Sequence, residues 1–159
     1  MRQKLWYHIA TALGALLLLG ATLFVALRWR EIPSEVATHY SFSGMPEGYE
    51  DKGSLLSLLA LSWIMYLVLV VTSFFPQTWN MPGRPAFRSF SFGGGSRSPR
   101  AMQAAADMLA VLRVEMAALF SWLLICTARG VSLGAWFLPG FLAALAVTVT
   151  VGVVRSAGR

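Results

Sequence analysis

The sequence predicts an all-α integral membrane protein, a four-helix bundle with an ordered extracytoplasmic loop, and three observations lead there. The 159 residues are 57% hydrophobic and only 13% charged, about half the charged share of a soluble domain. Mean hydropathy is +0.62. The apolar residues gather into four runs, each near the ~20 residues a helix needs to cross the hydrocarbon core. These runs place spans at about 6–27, 55–75, 108–128 and 131–154, within a single membrane domain of residues 1–159.

A net charge of +6 and a pI near 10.3 could suggest nucleic acid. The basic residues stand at the ends of apolar runs and not on one soluble surface, so anionic headgroups account for them and nucleic acid is set aside. The bilayer is the first partner. The one cysteine, Cys126, lies inside an apolar run, where it reads as a small packing residue. It says nothing of the redox compartment.

The first run, Trp6 to Leu27, is too long for a signal-peptide core of about 7–15 residues and lacks a small-x-small cleavage site. It reads as a retained span, with Trp6, Tyr7 and Trp29 at its ends as interfacial aromatics. His8 reads as an interfacial residue rather than a ligand.

Ile32 to Lys52 follows, polar and rich in turn residues; with Glu31 it carries five of the seven acids and one of the two histidines. Pro33, Gly44, Pro46, Gly48 and Gly53 break any long helix. The Gly-x-Pro-x-Gly run sets turns, because glycine accepts positive φ and proline fixes its own. Ser54 is the expected N-cap of the second span, and Pro76 ends that span.

Residues 77–99 form the other long connection, with a flexible Gly93-Gly94-Gly95-Ser96 tract and Phe87, Phe90 and Phe92 alternating with polar residues. Arg84, Arg88, Arg97 and Arg100 give it an acid-free basic character, suited to anionic lipid or a cytoplasmic protein. Ser98-Pro99 reads as an N-cap and first-turn proline, opening a second helical hairpin of about 100–155. Gly130 suits a left-handed helix end. Pro139 implies a kink in the fourth span or a start delayed to it; the kink is favoured, because the residues after Pro139 alone look too few to span.

Counting positive charges near span ends, Arg2, Lys4, Arg84, Arg88, Arg97, Arg100, Arg155 and Arg159 fall on one side, and Arg28, Arg30, Lys52 and Arg129 on the other. The richer side should be cytoplasmic. This implies a multi-pass membrane protein with both termini inside and Ile32–Lys52 outside.

No Ser/His/Asp set, zinc spacing, nucleotide loop or paired catalytic carboxylates stand out, so catalytic, metal and cofactor assignments are all none. His39 with Glu35, Glu47, Glu50 and Asp51 lacks diagnostic metal spacing. The candidate recognition loop is Pro33, Glu35, His39, Tyr40, Gly44, Pro46, Tyr49 and Lys52, facing a peptide or protein partner. The candidate intramembrane polar residues are Asp107, Arg113 and Glu115, since ionisable groups in a span are costly. Arg113 and Glu115 are two apart and point to different faces, and the favoured reading is anchoring at the interface by snorkelling. Gly140, Ala144, Thr148 and Gly152 form a small-residue stripe, and Ala10 and Gly14 a weaker one. Either could pack within the bundle or seam a homo-oligomer.

Ile32-Pro33, Thr38-His39-Tyr40, Gly44-Met45-Pro46, Tyr49 and Lys52, with the flanking spans over about 10–75, resemble the bacterial membrane family called domain of unknown function 1648. That domain also occurs in SdpI-like immunity proteins. The resemblance implies the membrane architecture and a role in toxin immunity or signalling. A non-enzymatic binding or sensing module is therefore the leading functional expectation, and a transporter or accessory transport subunit the alternative.

Overall fold

A computed structural model of the chain describes residues 2–74 and 99–157, with side chains from 5 to 72 and from 103 to 155. The elements in order are α1 (Arg2–Arg28), β1 (Glu35–Tyr40), β2 (Pro46–Asp51), α2 (Ser54–Phe74), α3 (Pro99–Arg129) and α4 (Phe137–Ala157). All four helices are long and apolar enough to cross a membrane, so the chain is a multi-pass membrane protein. Their side chains leave a belt of large apolar groups exposed, among them Leu16, Leu23, Ile64, Leu67 and Val147. In water such a belt would be costly; against lipid it is the expected outer surface.

α3 is the central helix and packs on α1, α2 and α4, whereas α1 and α2 touch only lightly. Small residues bring the helices close. Ala10, Ala110 and Ala117 are buried, and a Cβ on Gly14 would stand 2.6 Å from Cε2 of Tyr66. One apolar cluster joins Leu18, Tyr66 and Ala117 in mid-bundle. A second, at the end away from the chain termini, joins Ala21, Val25, Leu55, Leu124 and Ala128 to Ile32 and Val36 of the polar segment.

That segment is a β-hairpin. β1 and β2 pair antiparallel, Glu35 opposite Asp51 and Tyr40 opposite Pro46, with irregularities on both sides of His39. Gly44 makes the turn at φ +77°, where L side chains are strained. Of the three expected turn-setters only Gly44 turns the chain; Pro46 and Gly48 lie in β2. Ser54 does not cap α2, since its hydroxyl is buried without a partner. The Asp51 carboxylate takes up that task one turn early, accepting from the Gly53 N–H at 2.7 Å. Gly53 and Lys52 carbonyls then accept from Leu56 and Leu55.

α3 ends as expected. Gly130 has φ +63°, and Gly130 and Val131 donate back to the Thr127 and Cys126 carbonyls, the paired bonds of a Schellman end. The fourth helix differs from expectation: it starts at Phe137 rather than Val131, with Pro139 in its first turn. The missing proline N–H costs nothing there, because first-turn N–H groups have no partner within the helix. The helix gains its length by running to Ala157. Arg84, Arg88 and Arg97, the phenylalanines at 87, 90 and 92, the glycine tract, Pro76 and the expected Ser98 cap lie outside the described residues, as does the Arg100 side chain.

Candidate functional site

The hairpin is seated rather than suspended. Val36 and Ala37 are adjacent and both buried; in regular register up to Ala37 they face opposite sides, so the hairpin is covered on both faces there. Tyr40 reaches Thr127 of α3, hydroxyl to hydroxyl at 3.2 Å. Burial pushes its phenol above the ordinary value, with the Thr127 hydroxyl pulling the other way. At the tip, the Leu133 N–H donates to the Gly44 carbonyl at 2.8 Å. A Cβ on Gly44 would stand 2.7 Å from the Gly134 oxygen. The tip is therefore bound to the α3–α4 connection, which Trp122 also holds through its indole N–H to the Leu133 carbonyl.

Of the candidate loop residues, Pro33, Glu35, His39 and Tyr49 are exposed, together with Glu47, Glu50 and Asp51. The His39 ring lies across Gly48, where an added Cβ would meet Cδ2 at 2.9 Å. Lys52 stands over the Trp29 ring at 5.3 Å, a cation–π contact joining the hairpin base to the end of α1. Phe42 and Met45 at the tip are 68% and 57% exposed, and Trp136 of the α3–α4 connection is 85% exposed. Phe42 and Trp136 were not among the residues the sequence singled out, and Met45 entered only through the resemblance, although an aromatic beside a Gly-x-Pro turn was a readable signal. Among the described residues, no three His, Cys, Asp or Glu side chains stand close enough to hold a metal ion.

A second polar set crosses the bundle nearer the termini. Arg113 is 1% exposed, so it does not snorkel as the sequence favoured; the packing of α1 on α3 encloses it. Its Nη1 donates to Thr11 Oγ1 at 2.8 Å. The Thr11 hydroxyl donates onward to the Tyr7 carbonyl, and the Thr11 carbonyl accepts from the Tyr66 hydroxyl. Tyr7 donates to Asp107 Oδ1 at 2.8 Å. Thr11 thus ties α1, α2 and α3 together, and Tyr7 is a bundle residue more than an interfacial one. Arg113 and Glu115 do face different helices: Glu115 accepts from Thr148 of α4 at 2.6 Å. The Arg113 Nε and Glu115 Oε2 are buried without partners.

The stripe on α4 divides. Gly152 is buried against Met108 and Thr148 binds Glu115, whereas Gly140 and Ala144 are exposed. Half of it therefore packs within the chain.

Residues 16–63 match the family described as domain of unknown function (DUF1648). The matched segment runs from mid-α1 through the hairpin to mid-α2, and so includes every candidate loop residue. It excludes α3, α4 and the connection between them, which supply Arg113, Glu115 and the docking partners of Tyr40 and Gly44. No curated protein matches the chain, and neither does any solved structure.

Proposed function

We propose that the chain is a non-enzymatic binding or sensing module of the bacterial cytoplasmic membrane, with both termini cytoplasmic and the hairpin outside. The hairpin is the recognition element, and its partner is a cationic, membrane-active peptide. The observation that carries this reading is a fixed hairpin that offers acids and apolar side chains together. Glu35, Glu47, Glu50 and Asp51 are exposed around Phe42, Met45 and Tyr49, a surface complementary to a basic amphipathic chain. Attachment at Gly44 and Tyr40 keeps that surface ordered before binding, which lowers the entropic cost of recognition. An immunity role of the kind implied by the resemblance fits such a partner.

Cells expressing the protein, challenged from outside with cationic membrane-active peptides, should survive better than vector controls. Glu47→Lys with Glu50→Lys should abolish the difference at unchanged expression. Equal survival of all three strains removes the immunity form. No adduct with the peptide from a photo-cross-linker at position 49 removes recognition by the hairpin.

A transport role is the second reading, favoured by one observation: Arg113 and Glu115 each hold a buried atom without a partner. Intramembrane ionisable groups of that kind mark ion or proton paths. Proteoliposomes whose proton flux is unchanged by Glu115→Gln would remove it.

A further inference from the structure

Near the termini, α3 and α4 part to leave a cleft of about 180 Å³, lined by Asp107, Met108, Val111, Val147, Val151 and Arg155 among others. Its walls are apolar, and its two charged side chains are of opposite sign. Asp107 and Arg155 are not ion-paired with each other, the one ion pair among the described residues being Arg28–Glu31.

The depth of the cleft follows from α4. Trp136 precedes the helix and Arg155 stands in its last turn, about 28 Å apart along the axis at ~1.5 Å per residue. That matches the ~30 Å hydrocarbon core, so Arg155 lies at the level of the lipid phosphates. The Tyr7 hydroxyl occupies one oxygen of Asp107, and a carboxylate accepts about four hydrogen bonds. Capacity for a further cationic donor therefore remains. The floor is closed where Gly152 meets Met108, an added Cβ lying 2.5 Å from Sδ. The volume is close to that of the ~150 Å³ cavity that takes up one benzene, too little for a whole phospholipid but suited to its polar end and first carbons.

We propose that this cleft binds the headgroup of a phosphatidylethanolamine. Arg155 holds the phosphate, Asp107 accepts from the primary ammonium, and the first methylenes lie along Val151 and Val147. The charge pair decides the class of lipid. An anionic headgroup without an ammonium leaves Asp107 facing a like charge, and a quaternary choline has no N–H to donate.

The test is native mass spectrometry of the full chain in detergent with dioleoyl-phosphatidylethanolamine, -phosphatidylcholine or -phosphatidylglycerol added singly. The ethanolamine lipid should be retained about tenfold over the other two, the value of one charge-assisted hydrogen bond. Asp107→Asn should bring its ratio to the choline lipid close to one, and Arg155→Gln should weaken all three. Val151→Trp, on an exposed position of α4, should fill the cleft and remove the preference without touching Tyr7. Circular dichroism and the thermal midpoint identify any variant that fails to fold. Equal retention of the three lipids by the wild type overturns the proposal, as does an unchanged preference in folded Val151→Trp.

Discussion

At Thr11 a single residue serves three helices. Its hydroxyl accepts from Arg113 and donates to the Tyr7 carbonyl, while its own carbonyl accepts from Tyr66. Thr11→Val should therefore cost about 1–3 kcal/mol, the penalty of leaving a buried donor unmade, and Thr11→Ser much less, measured as thermal stability in detergent. Gly44 is constrained twice, by φ +77° and by the Gly134 oxygen. Gly44→Ala should cost ~1–2 kcal/mol from the left-handed backbone alone and more from the contact, with a drop in the thermal midpoint. Tyr40 gives the pH dependence. Burial raises its phenol, so the folded chain holds that proton more tightly than the unfolded chain. The stabilisation is complete below the unfolded value near 10 and is lost as pH rises through the folded value. Thermal midpoints between pH 8 and 11 should fall for the wild type more steeply than for Tyr40→Phe.

At the scale of elements, helix existence was written in the apolar runs, because a span must be about 20 apolar residues whatever surrounds it. Helix starts were less legible. Pro139 is consistent with a kink or with a first turn, and the choice fell to the 131–136 connection, which is fixed by the hairpin tip through Leu133. The hairpin was legible as a turn-rich ordered segment, but its strands were not. Val36 and Ala37 break the alternation that marks a strand, and they do so because both are buried at the end of the bundle. The α4 stripe offers a test of packing. Gly152→Leu must displace Met108 and should destabilise by about 1–3 kcal/mol. Gly140→Leu has no neighbour within reach of its Cβ and should leave the thermal midpoint unchanged.

Over the whole molecule, the hairpin closes one end of the bundle, and both termini leave from the other. The proposed orientation, drawn from the count of basic residues in the sequence, predicts the outcome of labelling in intact cells. A membrane-impermeant maleimide should react with Glu47→Cys, at an exposed hairpin position, and leave wild-type Cys126 unmodified, since that thiol is 2% exposed. Labelling of Glu47→Cys only after permeabilisation would reverse the orientation.

The sequence by itself determined the solvent: four apolar runs admit no soluble fold, and the turn residues between the first two demand an ordered polar segment. The spacing of Ile32-Pro33, Thr38-His39-Tyr40 and Gly44-Met45-Pro46 was likewise enough to indicate the matching family. The tertiary structure decided where the charges go. Arg113 looked free to snorkel because its depth can be read from chain position, whereas the helix it faces cannot. Only the packing of α1 on α3, with Ala10 buried, encloses it beside Thr11. The same holds for Gly44, whose need for a turn was local and visible, and whose contact with Gly134 joins residues ninety apart that no periodicity connects.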